Sequence, residues 1–314
     1  MRSRSERKSK PKKRKWLKIT LITLSVIFLL VAGYLFMLYK SLTDTVANMH
    51  EDPRGGQISE KRDKEIEFKK KDPFSVLLLG VDQRAGDRGR SDTIIVMTVN
   101  PKKESIEMVS IPRDTRTEIV GRGTEDKINH AYAFGGVEMS MNTVENFLDI
   151  PIDYFVQVNM EGFKEIVDAV GGVTVNNDLN FSYDGHTFPK GKITLNGEEA
   201  LAFSRMRKGD SRGDFGRQIR QRQIIEAVIK EGASLETLVN YGPIFEALSE
   251  NVKTNLTFDQ MVAIQANYRN AAKSINQHTI NGTGKRINGI YYYIVPEDEK
   301  LALQNMLKEH LEIN

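Results

Sequence analysis

Residues 77–96 read LLLGVDQRAGDRGRSDTIIV, so two apolar runs enclose three aspartates, Asp82, Asp87 and Asp92, and three arginines, Arg84, Arg88 and Arg90. The ends of buried strands are where α/β sheets hold their ligands. Arginine recurs downstream. Between residues 74 and 222 lie twelve arginines and seven lysines, the arginines grouped as Arg84/Arg88/Arg90, Arg113/Arg116 and Arg205/Arg207/Arg212/Arg217/Arg220/Arg222. A guanidinium fork binds phosphate oxygens in pairs and keeps its charge when desolvated. Such grouping points to a ligand with several oxyanions, phosphate or pyrophosphate first. Solubility and surface ion pairing are the bland alternative, and they suit Arg88, Arg116, Arg122 and Arg222.

Two spacings sharpen the anion reading. If "SRMR" is extended, Arg205 and Arg207 share a side, because side chains alternate. In the helix expected after Asp214, Arg217 and Gln221 stand at i and i+4 with Arg220 adjacent. They fall within the first two turns, where free N–H groups and the helix dipole favour anions. Two carboxylates beside a pyrophosphate would repel it unless a cation bridges them. Mg²⁺ takes one or two carboxylates together with phosphate oxygens. Asp82 and Asp92 are therefore candidate ligands for Mg²⁺, with Mn²⁺ as an alternative, while Asp87 suits a turn or a cap.

Other chemistries lack their residues. The chain has no cysteine, which excludes thiolate zinc sites, disulfides and a cysteine nucleophile. The five histidines are scattered, with no pair at metal-binding spacing. Neither a GxSxG elbow nor a GxxxxGK[ST] loop occurs. "GTGKRING" (282–289) lacks phosphate-loop spacing and reads as a turn between strands.

The elements that must carry these residues alternate. "FSVLLLGV" is an apolar run suited to a strand covered on both faces, and "TIIVMTVN" with "SIEMVSIP" suggests a hairpin. "DYFVQVN" and "GVTVN" are further strands. Helices are expected in "KINHAYAFGGVEMSMNTVENFLD", with helical spacing at Val137, Met141, Val144 and Leu148, at "MEGFKEIVDAV", at "NGEEALAFSR" with a capping box from Asn196 to Glu199, and at "GDFGRQIRQRQIIEAVIKEG". Others follow near 244–251, at 258–272 and at 297–311, with a strand at "GIYYYIV". The implied fold is α/β, a three-layer αβα sandwich around a central mixed β-sheet.

The layout before that domain is distinctive. Residues 1–18 hold ten Lys+Arg and one Glu, a net of +9, and the rest of the chain carries −6. An acidic body argues against nucleic-acid binding. Residues 19–39 contain no charge and are long enough, at about 1.5 Å per residue, to cross a hydrocarbon core of about 30 Å. No small-residue cleavage site followed by a polar start marks them as a signal peptide. The expected organisation is a basic cytoplasmic tail (1–18), one N-terminal transmembrane helix (19–39), a charged extracytoplasmic linker (40–72) and a catalytic domain (73–314). Flanking basic residues stay inside, so the domain is expected outside the cytoplasm, where the energy of a reaction must arrive with its substrate.

The motifs "LLLGVDQR", "RSDTIIV", "MVSIPRDT", "KINHAYAFGG", "TVENFLDIPIDYFVQVN", "GFKEIVDAVGGV", "LNGEEALAFSRMR" and "DFGRQIRQRQ" occur in this order. Together they resemble the LytR-CpsA-Psr family over about residues 74–230, and within it the teichoic acid transferases of Gram-positive rods. The resemblance implies a membrane-anchored phosphotransferase. It would move an anionic glycopolymer, typically wall teichoic acid, from an undecaprenyl-pyrophosphate carrier to the C6 hydroxyl of N-acetylmuramic acid in peptidoglycan. The family's pyrophosphate-binding pattern falls on Arg90, Arg113, Arg205, Arg207, Arg217 and Gln221, and its Mg²⁺ carboxylates on Asp82 and Asp92. Arg84, at the strand end, joins the pyrophosphate candidates. Arg113, Asp92 and Asp114 are the catalytic candidates, with Asp92 or Asp114 taking the hydroxyl proton and Asp214 orienting Arg217 or capping its helix. A groove for the polyprenyl chain is expected between the helix at 139–147 and the strand "DYFVQV". The rival readings are a lipid-pyrophosphate precursor-binding protein and a pyrophosphatase; a DNA-reading regulator would have only an 18-residue basic tail on the expected cytoplasmic side, too short for a DNA-reading domain.

Overall fold

The computed structural model describes residues 13–82, 89–233 and 248–313. It divides into a unit ending at Asp44 and a body from Thr45 onward. The first unit is the greater part of helix α1 (Lys13–Met49). Among the described residues α1 is the one helix long and apolar enough to cross a membrane. Its apolar side chains, Leu21, Phe28, Leu29 and Leu30 among them, are exposed, as the wall of a lipid-facing helix would be.

The body is built on β1 (Phe74–Asp82), β2 (Arg90–Asn100), β3 (Ser105–Ser110), β4 (Arg116–Ile119), β5 (Thr124–Lys127), α2 (His130–Leu148), β6 (Tyr154–Val158) and α3 (Met160–Ala169). Next come β7 (Val173–Asn177), β8 (Phe181–Tyr183), β9 (His186–Phe188), β10 (Gly191–Leu195), α4 (Gly197–Arg205) and α5 (Asp214–Gly232). The chain continues through β11 (Val252–Thr254), α6 (Phe258–Tyr268), β12 (Ser274–Thr279), β13 (Thr283–Ile287), β14 (Ile290–Ile294) and α7 (Glu297–Leu311). Six strands form one sheet in the order β11-β6-β1-β2-β3-β12. It is mixed: β1/β6 and β3/β12 are parallel, and β1/β2, β2/β3 and β6/β11 are antiparallel.

Both faces are covered, which explains why β1 and β2 are apolar almost throughout rather than alternating. On one face Leu77, Leu79 and Val96 pack against Met141, Val144 and Phe147 of α2 and Leu307 of α7. On the other, Val76, Ile95 and Met97 meet Ile225 and Ile229 of α5 and Met261 and Ile264 of α6. A side chain as fully buried as Leu77 or Phe155 contributes roughly 1.5–3 kcal/mol by leaving water. A third cluster joins Val167, Phe188, Phe203 and Ile224, so α3, α4 and the small strands lean on the inner flank of α5. The αβα sandwich expected from the alternating elements is the fold observed.

Several local expectations change. Part of the stretch expected as a linker is packed onto the body. Phe68 meets the rings of Phe74, Tyr154 and Tyr268, and Arg62 pairs with partly buried Asp153 at 2.6 Å. Residues 283–287 are strand β13 instead of a turn, paired with β14. The turn is Asn288-Gly289, both at positive φ, as a tight two-residue hairpin requires. The helix expected at 258–272 stops at Tyr268 and continues as a 3-10 turn, Arg269–Lys273. Residues 244–247 of the helix expected near 244–251 lie outside the described residues. The Asn196/Glu199 capping box is present in full.

Candidate functional site

The topology brings one edge of the sheet to a focus. Parallel β1 and β6 both end there, β2 begins there, and β3 returns to it before Arg113. Asp82 is the last residue of β1 and faces Arg90 across the ladder. Gly80 pairs with Thr93 and Val81 with Ser91, so Asp92 is the extra residue of a β-bulge. Bulges re-aim a side chain and recur beside active sites.

A cavity of about 860 Å³ opens at this edge, at the upper end of the range for small-molecule sites. Three of its walls grade from apolar to charged in the same direction. Along β1 the lining runs from Leu78 to Asp82, along β2 from Met97 to Asp92, and along α5 from Ile229 to Gln221 and Arg217. The twelve steps from Arg217 to Ile229 measure about 18 Å on a helix. Arg205, Arg207 and Lys208 complete the charged end, and Val156, Phe163 and Ile166 the apolar shaft. A long apolar channel with a cationic mouth is the result.

Charge at the mouth is arranged in layers. Arg113 donates to Asp92 Oδ1 at 2.7 Å. Burial opposes the Arg113 charge, but the bond to Asp92 and the nearby Asp214 hold it above its ordinary value. Arg217 lies deeper. It pairs with Asp214 at 2.8 Å and reaches the Asp92 carbonyl at 3.4 Å, while its buried Nε has no protein acceptor among the described residues. Burial first, and then repulsion from Arg113 and Arg207 against the pull of Asp214 and Asp92, shifts Arg217 downward; a guanidinium stays charged all the same. Among the described residues Arg205 and Arg207 have no carboxylate partner. This much concentrated positive charge favours an anion held by several guanidinium forks.

Behind the mouth stands a second arginine set. Arg220 is buried, with Nη1 on Asp210 at 2.7 Å and Nη2 on the Met206 carbonyl at 2.5 Å. Arg212 grips the same carboxylate and that of Asp178. These bonds hold Asp210 far below the ordinary carboxylate range. Met206 is buried and lies between Arg205 and Arg207, so clamping its carbonyl directs both flanking arginines to the cavity. Gly216 packs so closely that a Cβ would stand 2.0 Å from Asp210 Oδ2.

Of the residues singled out in the sequence, the cavity gathers Asp82, Asp92, Arg205, Arg207, Arg217 and Gln221. Arg113 supports Asp92 from alongside. Arg90 is exposed at the start of β2, and Arg84, Asp87 and Arg88 lie outside the described residues. Asp114 turns to Lys127, 2.6 Å away. Asp214 orients Arg217, and Gly213 occupies the cap position of α5. Two expectations fail. The helix at 139–147 is no wall of the cavity, because α2 covers the opposite face of the sheet, although Val156 and Val158 of the expected strand do line it. Arg222 is not a surface residue: it is buried, and it bonds Gln277 and Thr279 of β12. Lys208 was missed, although it directly follows "SRMR".

Known proteins share this architecture. The polyisoprenyl-teichoic acid–peptidoglycan teichoic acid transferase TagU of Bacillus subtilis (strain 168) is 55% identical over 307 residues, covering 98% of this chain and 99% of that one. The crystal structure of a transcriptional regulator, EF0465, from Enterococcus faecalis superposes with a TM-score of 0.74 at 42% identity, covering 80% of this chain and 92% of that one. TagT bound to LIIa-WTA superposes at 0.71 with 33% identity, covering 83% and 98%. The LytR_cpsA_psr family model matches residues 36–309, and the chain belongs to that family.

Proposed function

We propose that this protein transfers a teichoic-acid-type glycopolymer from an undecaprenyl-pyrophosphate carrier to the C6 hydroxyl of N-acetylmuramic acid in peptidoglycan. The observation that carries the reading is the graded cavity, apolar along β1, β6 and α5 and cationic at the sheet edge. A polyprenyl pyrophosphate has the same division, a long hydrocarbon tail and a compact double anion. That B. subtilis TagU is named a teichoic acid transferase, and that a solved structure shows TagT bound to LIIa-WTA, supports this choice. DNA binding has no support in the acidic body, which carries −6 beyond residue 18.

In this reading Arg205, Arg207 and Arg217 bind the pyrophosphate oxygens, and Gln221 adds an amide one turn below Arg217. The acceptor hydroxyl attacks the phosphorus that bears the glycopolymer, the bond to the lipid phosphate breaks, and polyprenyl phosphate leaves. Phosphoryl transfer depends on positioning and on neutralising charge, which the guanidinium groups supply. Of the two candidate bases, Asp92 lines the cavity and Asp114 does not, which supports Asp92, oriented by Arg113, as the group that takes the hydroxyl proton. Asp82 and Asp92 would hold Mg²⁺. Two carboxylates on neighbouring strands fit the oxygen-only set that Mg²⁺ takes when phosphate and water complete its shell. No larger group of His, Asp or Glu able to hold a metal occurs among the described residues. When bound, Mg²⁺ supplies further charge neutralisation of the pyrophosphate. The basic tail supports an orientation with the N-terminus in the cytoplasm and the body outside.

The test uses the full chain in detergent with a synthetic lipid-pyrophosphate-linked precursor and peptidoglycan oligomers, read by mass spectrometry. Joined product that requires Mg²⁺ and disappears in Arg217→Ala is expected. Tight precursor binding without joining would overturn the transferase in favour of a carrier-binding protein. Free polymer phosphate regardless of acceptor would overturn it in favour of a pyrophosphatase.

A further inference from the structure

Resting on that transferase reading, we propose that the β13–β14 hairpin is the platform on which the acceptor glycan strand lies, with the ring of Tyr291 as its stacking surface. The hairpin carries three consecutive tyrosines. Tyr292 and Tyr293 are buried, whereas Tyr291 is 43% exposed beside Ile290 at 49%.

The hairpin reaches the reacting groups by two independent routes. Tyr293 donates its backbone N–H to the Asp114 carbonyl at 2.8 Å, and Asp114 directly follows Arg113, the partner of Asp92. The Tyr293 ring also meets Phe215 at 5.7 Å, in the first turn of α5 beside Asp214. Tyr291 is two residues from Tyr293, roughly 7 Å along the strand and on the same face. No β13–β14 residue is among the described lining of the cavity. The platform therefore adjoins the Asp92 end without entering the lipid channel, as a second substrate requires.

Its chemistry suits an anionic glycan. Gly284 allows the Tyr291 ring to lie across the neighbouring strand: a Cβ there would stand 2.7 Å from the ring's Cε2 and hydroxyl oxygen. An aromatic face held in this way can cover the C–H face of a pyranose, removing apolar area from water. Arg286 stands directly opposite Tyr291 in the ladder and so shares its face. It is exposed, and among the described residues it has no carboxylate partner. It complements a carboxylate of a peptide stem on a muramyl strand.

Steady-state transfer by the full chain, with donor and acceptor varied separately, tests the platform. Tyr291→Ala should raise KM for a muramyl oligosaccharide carrying peptide stems about tenfold and leave KM for the lipid-linked donor unchanged. Tyr291→Phe should restore it. Gly284→Ala, which displaces the ring without removing it, should shift the acceptor KM in the same direction. An unchanged acceptor KM in Tyr291→Ala, or an equal rise in donor KM, would overturn the platform. If the wild-type chain forms no joined product, the transferase reading falls by itself. Calorimetric binding of the acceptor oligosaccharide alone then decides the platform, with weaker binding by Tyr291→Ala supporting it and equal binding refuting it.

Discussion

Two sets of arginines lie between residues 205 and 222, and they have opposite fates. Arg212, Arg220 and Arg222 point into the protein frame: Asp178 and Asp210 take the first two, and Gln277 and Thr279 take the third, although Arg220 Nε and Arg222 Nη1 have no acceptor among the described residues. Arg205, Arg207 and Arg217 line the cavity, and among the described residues only Arg217 has a carboxylate partner, Asp214. The difference teaches that arginine content alone does not mark a phosphate site. A guanidinium tied to acceptors inside the protein holds the frame, and one that faces a cavity can serve a ligand.

The contrast breaks most readily at Arg220. Arg220→Ala removes one partner of a pair whose side chains are 1% and 2% exposed, and breaking a buried pair costs about 3–5 kcal/mol. A large fall in the denaturant midpoint is expected, and Gly216→Ala should fall in the same way because its Cβ collides with Asp210. If Arg220→Ala melted like the wild type, the framing role would be lost. Arg217→Ala should do the reverse. Turnover should drop about 10²–10³-fold, as when one preorganised transition-state donor is removed. The melting temperature should hold or rise, since burial works against the Arg217 charge. Arg205→Ala and Arg207→Ala, both exposed, should weaken donor binding about tenfold or less, and that loss should shrink at high salt.

The smallest effect concerns a buried histidine away from both sets. His310 bonds Thr98 and Ser105, and burial, opposed by Glu107, holds it below its usual value of 6.5. Between the lowered value and 6.5 the unfolded chain binds a proton that the folded chain does not, so stability rises with pH and is fully present above 6.5. Melting curves from pH 5 to 8 should show this slope, and His310→Gln should flatten it.

Much of this was legible beforehand for physical reasons. "FSVLLLGV" and the strand-end aspartates mark β1 and the ligand edge, because a doubly covered strand is apolar until it reaches its ligand. The i, i+4 spacing of Arg217 and Gln221 places both on one helical stripe. The lipid wall was misplaced because α2 and α5 both present apolar stripes, and periodicity does not say which face of a sheet a helix covers. Arg222 misled in a similar way: its partners on β12 are more than fifty residues distant in sequence. β13 is short and polar on an exposed hairpin, so it carries no alternation to read.

The most direct test of the central claim is calorimetric titration of a polyprenyl pyrophosphate into the full chain in detergent, for the wild type, Arg217→Ala and Arg222→Ala. If the cavity is the carrier site, the wild type binds, Arg217→Ala loses about 100-fold, and a folded Arg222→Ala stays close to the wild type. Equal binding by the wild type and Arg217→Ala would contradict it.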